Sequence, residues 1–321
     1  MSAPRPVALE SVGCLLGCPR DDEVVLTGRD RLHGLPGEFR VLRCHSCGLL
    51  RTDPRPTPDS IDLYYPPEYG PYRGTRVVPR RRSVWRRLRS TLGRVARRVA
   101  DRNADHLPPM RPGRMLEVGC ASGSFLQQMA ELEWEVEGIE FSESAGREAR
   151  ELGYPVQIGA LEKAIPPDQP YDLVVGWMVL EHLHDPVAGL KKLREWTKPG
   201  GWLVASVPNA ACYELRLFGE RWYALHLPNH LWHPTPDSLR EVLARGGWRL
   251  DRIFYHRDLK NVIGSLGYWL ADRRILPRLA RWMSEYPDRE GSSYLLLHPL
   301  SLLLGLLRQT GRITVWARRV D

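Results

Sequence analysis

The sequence predicts an α/β chain: a doubly wound, mostly parallel seven-stranded sheet behind a small N-terminal metal-binding domain. Three observations carry this. From Arg114 onward, short apolar runs alternate with helical patterns, as they do when crossover helices join parallel strands. One of these runs delivers an acid and then a small-residue turn, and a second acid stands at the end of the next run. Four of the six cysteines fall in the first 47 residues, in two closely spaced pairs.

The chain has 321 residues, 43% of them hydrophobic and 26% charged, which excludes disordered, fibrous and membrane-spanning classes. That length suits a domain of about 200 residues plus a smaller unit. The boundaries expected are 1–72 for a cysteine-paired and Pro/Tyr-rich segment, 73–106 for a basic linker, and 107–321 for the α/β domain. Within the last, 208–234 and 260–307 read as insertions on the substrate side. The net charge of +8 is uneven: Arg73 to Arg102 holds twelve arginines and one acid, +11, leaving −3 for the rest. Bulk basicity therefore belongs to one segment, and nucleic-acid binding is not expected.

Cys14, Cys18, Cys44 and Cys47 have the spacing C-x3-C, 25 residues, C-x2-C. Two such pairs can wrap the sides of a tetrahedral Zn²⁺, and a site closed by four thiolates is structural. No positively charged start with an apolar run is visible at the N-terminus, so the expected setting is cytoplasmic with reduced thiols. In Asp53–Tyr72 the prolines favour extended chain, with a short helix possible over 59–65. Tyr64, Tyr65, Tyr69 and Tyr72 are too aromatic for a solvated linker, so this segment is expected to pack on the larger domain.

In the arginine run, Trp85, Leu88, Leu92, Val95 or Ala96, and Val99 recur at helical spacing, a basic amphipathic helix. Docking on the chain's own core, contact with an anionic membrane and an acidic partner compete for it. Strands are expected at Arg114–Val118, Trp134–Glu140, Val156–Ile158, Tyr171–Trp177, Trp202–Val207, Trp248–Tyr255 and Arg312–Arg318. Asp185-Pro186 and Thr235-Pro236 have the chemistry of helix starts. The longest apolar stretch, Tyr294–Leu307, is interrupted by His298 and Pro299 and is too short to span a bilayer.

The run Met115-Leu116-Glu117-Val118-Gly119-Cys120-Ala121-Ser122-Gly123 places glycines where a backbone must approach a ligand. Glu140, 23 residues after Glu117, ends the next strand, where a carboxylate can accept both ribose hydroxyls of a nucleoside. This spacing reads as a nucleoside cofactor on a Rossmann-like sheet. The pattern is not G-x-G-x-x-G, which disfavours a dinucleotide.

From about Gly113 to Asn209 the chain resembles class I S-adenosylmethionine-dependent methyltransferases. The resemblance rests on Leu116–Gly123, Glu140, Tyr171–Val175, Glu181–Pro186, and Leu193 through Lys198-Pro199-Gly200-Gly201 to Val207-Pro208-Asn209. It implies that Glu117, Gly119, Ala121 and Gly123 cradle the methionine part of S-adenosyl-L-methionine. It implies also that Glu140 holds the ribose and that Ala160 and Leu161 flank the adenine. Ala121 stands where the usual middle glycine would be. The cysteine pairs and Asp53-Pro54-Arg55-Pro56 are similar to a bacterial subgroup with a zinc knuckle that acts on sugars, polyketides or envelope intermediates. The expected acceptor is a small molecule, a glycan or a lipid-linked compound, methylated on oxygen or carbon.

Removing a proton from such an acceptor asks for a base. His182, just after the fourth strand, is one candidate, with packing as the competing role. Glu181-His182 resembles the metal-binding E-x-x-E-H of ubiquinone-pathway O-methyltransferases. Met178 occupies the first glutamate position, so a metal-assisted catechol mechanism is not expected. His226, His230 and His233 have helical spacing, yet Pro228 and Pro234 break any helix there. A lid bringing His230 to the acceptor pocket is the expected arrangement. Trp177 and Met178 read equally well as pocket wall or core. The apolar 261–307 segment reads either as a helical cap or as a greasy entrance for a lipid-linked acceptor near an anionic membrane.

Overall fold

The computed structural model describes residues 7–65, 103–288 and 294–321. The basic helix expected over 73–102, with Tyr69 and Tyr72, lies outside the described residues. The large sheet consists of β6 (Arg114–Val118), β7 (Glu135–Glu140), β8 (Val156–Ile158), β9 (Tyr171–Trp177), β10 (Thr197–Pro208), β12 (Trp248–Tyr255) and β13 (Arg312–Arg319). Its order is β12-β13-β10-β9-β6-β7-β8, and β13 runs antiparallel to both of its neighbours. All seven strands stand where the apolar runs predict them.

Alternate residues of each strand feed opposite faces, which makes the fold doubly wound. Met115, Leu173, Val175 and Val204 pack with Phe125, Leu126 and Met129 of α1 (Ser124–Ala130) and Ala149 of α2 (Glu143–Glu151). Leu116, Val118, Val174, Leu203 and Ala205 pack on the other face. There they meet Leu190 and Leu193 of α3 (Pro186–Glu195) and Leu239, Val242 and Leu243 of α5 (Pro236–Arg245). Between these two helices in the chain comes the short α4 (Tyr213–Phe218). The helix starts are chemically set: Asp185 caps α3 by accepting from the Ala188 amide at 2.8 Å, and Thr235 and Ser238 form a reciprocal capping box on α5.

The N-terminal unit holds β1 (Leu9–Glu10), β2 (Asp22–Gly28), β3 (Phe39–Cys44), β4 (Leu50–Asp53) and β5 (Arg55–Pro56). Its four-stranded sheet, β11-β4-β3-β2, borrows β11 (Trp232–His233) from the 208–234 insertion. The two share one core, in which Phe39, Val41, Leu50 and Tyr64 meet Cys212, Leu215, Phe218, Trp222 and Leu227. The insertion is therefore less a free lid than the outer strand of the knuckle's sheet. Arg51, 1% exposed, is anchored by bidentate bonds to Asp22 at 2.7 and 2.6 Å. Before β13 come α6 (Lys260–Asp272), α7 (Pro277–Ser284) and α8 (Tyr294–Leu306). They leave Leu276, Leu279, Trp282, Leu303 and Leu306 exposed. No helix among the described residues is long and apolar enough to cross a membrane.

Candidate active site

At the carboxyl end of β6 the chain turns through Gly119 (φ 73°), Ala121 (φ 46°) and Gly123 (φ 83°) before α1 begins. A Cβ on Gly119 would lie 2.6 Å from Val179, so both its space and its left-handed backbone demand glycine. Ala121 holds a left-handed conformation that costs a side-chain-bearing residue about 1–2 kcal/mol. It is retained because its amide donates to Glu140 Oε2 at 2.7 Å, while the Ser142 amide donates to Oε1 at 2.7 Å. Glu140 thus locks the first turn to the end of β7. Burial pushes its carboxyl up, and the two amides act against that.

Glu117 is 3% exposed, and its Oε2 has no hydrogen-bond partner. Burial, with Glu140 nearby, raises its pKa well above the usual carboxylate value. A buried acid missing a donor at the mouth of a glycine turn suits a ligand that carries one. Ala160 lies half-buried just beyond β8, whereas the Leu161 side chain is in the main core and offers only its backbone to a ligand. Trp177 packs edge-on against Phe125 at 5.2 Å, and its indole Nε1 is buried with no partner. Met178 then takes φ 60°, strain placed at the ligand-binding edge of the sheet.

Three segments converge beyond Met178. The Thr52 hydroxyl on β4 donates to the His230 carbonyl at 2.7 Å, the Leu231 amide to the Glu181 carbonyl at 2.9 Å, and the Trp232 indole to the Leu180 carbonyl at 2.7 Å. Asn229 Nδ2 donates to the Tyr64 carbonyl at 2.7 Å. Four imidazoles gather there: His182 and His230 have centroids 4.7 Å apart, His230 and His226 4.9 Å, and His230 and His233 6.5 Å. His182 Nδ1 lies 3.0 Å from the Asn229 carbonyl and 2.7 Å from the Tyr65 hydroxyl. His230 Nδ1 lies 2.9 Å from the Ala224 carbonyl. A carbonyl only accepts, so Nδ1 carries the proton in both rings and Nε2 keeps its lone pair. Burial pushes His182 down to about 4 and His226 to about 3, so both are neutral at neutral pH. Glu181 is fully buried, neither of its carboxylate oxygens has a hydrogen-bond partner, and burial raises its carboxyl to about 8.

The structure brings His182 and His230 together and adds two residues beside them. Glu181 was legible only as part of a motif. Tyr65 was legible only as one aromatic in a tyrosine-rich segment. Tyr65 bridges the two halves of the site, with its ring edge-on to Phe141 at 5.7 Å and to His182 at 5.9 Å. Phe141 directly follows Glu140, so one tyrosine lies between Glu140 and the histidines.

In the knuckle, the four cysteine sulfurs lie within 4.8 Å of one another, and Cys14 Sγ and Cys47 Sγ are 3.4 Å apart. Zn–S bonds of about 2.3 Å place tetrahedral sulfurs about 3.8 Å apart, so the set fits. Each pair turns through a left-handed glycine, Gly17 (φ 70°) or Gly48 (φ 71°), whose amide returns to the Cys14 or Cys44 carbonyl at 2.8 Å. All four thiols are free of disulfides.

A seven-stranded sheet with an antiparallel penultimate strand, a glycine turn and an acid on the next strand defines a nucleoside-cofactor enzyme of the class I methyltransferase type. Residues 84–253 match the family described as Methyltransferase domain, more than half of the chain; the protein belongs to that family and is an S-adenosylmethionine-dependent methyltransferase. A ubiquinone biosynthesis O-methyltransferase of Cereibacter sphaeroides is 29% identical over 188 residues, 54% of this chain and 74% of the relative. One of Maricaulis maris is 30% identical over 155 residues, 44% of this chain and 61% of the relative, under two thirds of its length. Among solved structures, an S-adenosylmethionine-dependent methyltransferase of Mesorhizobium loti aligns over 67% of this chain and 95% of its own. Its identity is 19% and its TM-score 0.44.

Proposed function

We propose that this enzyme methylates a hydroxyl group of a small-molecule acceptor that enters beside Tyr65, His182 and His230. The observation that supports the reading is the Tyr65 ring, which meets both Phe141, next to Glu140, and His182 of the histidine cluster. The relatives named as O-methyltransferases support the same chemistry. The cofactor supplies a methyl group on sulfonium, for in-line displacement by the acceptor oxygen. Glu140 would hold the ribose, the Gly119–Gly123 turn the methionine portion, and Glu117 Oε2 the ammonium it lacks a donor for. His182 and His230 keep Nε2 lone pairs at the acceptor edge, where the hydroxyl proton must be lost. The Tyr65 hydroxyl and the Asn229 carbonyl fix the His182 ring, so its orientation is set before the acceptor arrives.

In this reading Cys14, Cys18, Cys44 and Cys47 hold a structural Zn²⁺ that shapes β3 and β4, and so the Thr52 contact to the His230 carbonyl. A lipid-linked acceptor is favoured over a glycan by the exposed Leu276, Leu279 and Trp282, flanked by exposed Arg274, Arg278 and Arg281. Incubation with S-adenosylmethionine and dihydroxylated aromatic acceptors, polar and alkyl-tailed, is the direct test. Mass analysis should find one added methyl group on the acceptor oxygen, and more product with the tailed compounds. S-adenosylhomocysteine failing to bind the wild-type chain would defeat the reading.

A further inference from the structure

We infer that the indole N–H of Trp177 is a specificity-determining donor. It binds a carbonyl or carboxylate oxygen of the acceptor, distinct from the hydroxyl that is methylated. Trp177 closes β9, and the chain runs from it through Met178 to Glu181 and His182. Its ring meets Phe125, in the first turn of α1 directly beyond the Gly119–Gly123 turn, at 5.2 Å. Trp177 thus touches the glycine-turn side of the site through its ring and is joined to the histidine side through its backbone.

The Trp177 Nε1 atom is buried and has no hydrogen-bond partner. Other indoles of the chain are satisfied. Trp222 donates to Glu214 at 2.9 Å, Trp232 to the Leu180 carbonyl at 2.7 Å, Trp248 to the Leu190 carbonyl at 2.9 Å, and Trp316 to the His106 carbonyl. An indole N–H only donates, so its burial at Trp177 is destabilising until a ligand brings an acceptor atom. The backbone that carries it is held ready: Met178 takes φ 60°, and its amide donates to the Ser206 carbonyl at 2.8 Å.

Two observations narrow the missing atom. The Trp177 ring packs on the apolar cluster that holds Phe125, Leu126, Met129 and Val204. A hydroxyl bound there would leave its own proton without an acceptor, whereas a carbonyl or carboxylate oxygen brings none. Trp177 is also in register with Ser206 of β10, so the two side chains share one face of the sheet. Ser206 Oγ accepts from Arg312 Nε at 3.1 Å and from Nη2 at 2.7 Å, which brings a guanidinium charge to this rung. A fixed positive charge favours an electron-rich oxygen beside it. This deepens the functional reading and rests on it, because the oxygen belongs to the methyl acceptor.

Acceptors of one shape test it: 3,4-dihydroxyacetophenone with a ketone, 3,4-dihydroxybenzoate with a carboxylate, and 4-ethylcatechol with neither. Each is offered with S-adenosylmethionine to the intact wild-type chain and to Trp177→Phe. The ratio of kcat/KM for each oxygen-bearing compound to that for 4-ethylcatechol should fall about tenfold in the variant, chiefly through KM. The same compounds meet both proteins, so differences in hydroxyl acidity cancel. A ratio unchanged within about twofold overturns the inference. S-adenosylhomocysteine affinity should be equal in the two proteins; a tenfold loss would give the indole to the cofactor's carboxylate and overturn it as well. Wild type alone provides a second readout. With ¹⁵N-labelled indoles and S-adenosylhomocysteine bound, the ketone or the benzoate should move one indole proton resonance downfield, and 4-ethylcatechol should not. A response to the ketone alone supports a neutral carbonyl, and a stronger one to the benzoate supports a carboxylate drawn by Arg312. No response to either overturns the inference. The functional reading falls separately, if wild type does not bind S-adenosylhomocysteine.

Discussion

Glu140→Ala is the substitution with the most to say about the donor site. The carboxylate accepts from the Ala121 and Ser142 amides at 2.7 Å each, and it is 4% exposed. Hydrogen bonds to a charged group are worth about 1.5–3 kcal/mol each. Two ribose hydroxyls deprived of their acceptor therefore cost about 3–6 kcal/mol, a loss of about 10²–10⁴ in cofactor affinity. Losing the amide contacts also frees the Gly119–Gly123 turn, which adds an ordering cost to binding. Glu140→Gln keeps one acceptor oxygen and should fall between wild type and Ala. Calorimetric titration with S-adenosylhomocysteine reads all three, with far-UV circular dichroism to confirm the fold. An Ala variant that binds within threefold of wild type would refute the assignment of Glu140, and with it the site built around the turn.

Ala121→Gly relieves a strain of about 1–2 kcal/mol at φ 46° against a backbone entropy cost of about 0.5–1 kcal/mol. A net gain near 0.5–1 kcal/mol is expected in urea unfolding, and a loss would show that the alanine methyl is packed to advantage. Cys44→Ser should remove one equivalent of zinc and lower the melting temperature. Because knuckle and insertion share a core, it should also weaken acceptor binding while leaving S-adenosylhomocysteine affinity within a few-fold; equal losses of both would contradict the separation of the two half-sites. Asp22→Asn leaves Arg51 buried without its counter-charge and should cost about 3–5 kcal/mol at pH 7. Hydrogen bonds from Arg51 hold the Asp22 carboxyl below its ordinary value, so its contribution is complete above the unfolded pKa and is lost as pH falls through the folded one. Below about pH 4 the variant's stability should accordingly decline less steeply than the wild type's, which denaturant midpoints measured across pH would show.

Most of the catalytic sheet was legible because its signals are local. Tyr171–Trp177 is a mostly apolar run and Trp248–Tyr255 intersperses apolar with charged residues, both with clear stops, and Asp185 and Thr235 announce their helices by capping chemistry. The glycine turn and Glu140 were legible because backbone approach to a ligand restricts residue type at fixed spacing. The acceptor side was less so. β11 is two residues long and pairs with β4, about 180 residues earlier in the chain, so no periodicity announces it. That Tyr65 meets His182, and Glu181 meets His230, follows from this pairing and not from any local pattern. The proton positions on His182 and His230 depend on the carbonyls of Asn229 and Ala224, which sequence cannot place.

The pairing of β11 with β4 also gives the knuckle a reason to be present. A closed thiolate site has no reactive edge, and the knuckle's sheet lies outside the cofactor domain's sheet. Its leverage on the chemistry is mechanical. The Cys44–Cys47 turn joins β3 to β4, β4 holds Thr52, Thr52 holds the His230 backbone, and the Leu231 amide bonds the Glu181 carbonyl. Arg55 extends the grip on the same loop by donating to the His184 carbonyl at 2.8 Å. The backbone around His182 and His230 is thus held by contacts from the knuckle's sheet and from the insertion paired with it. The Gly119–Gly123 turn, by contrast, is tied to the end of β7 through Glu140 and runs directly into α1. One consequence is that acceptor specificity can diverge through the knuckle and insertion together while the donor site stays unchanged. Separately transplanting either segment into another methyltransferase should fail to move specificity, because each supplies only half of the β4–β11 pair.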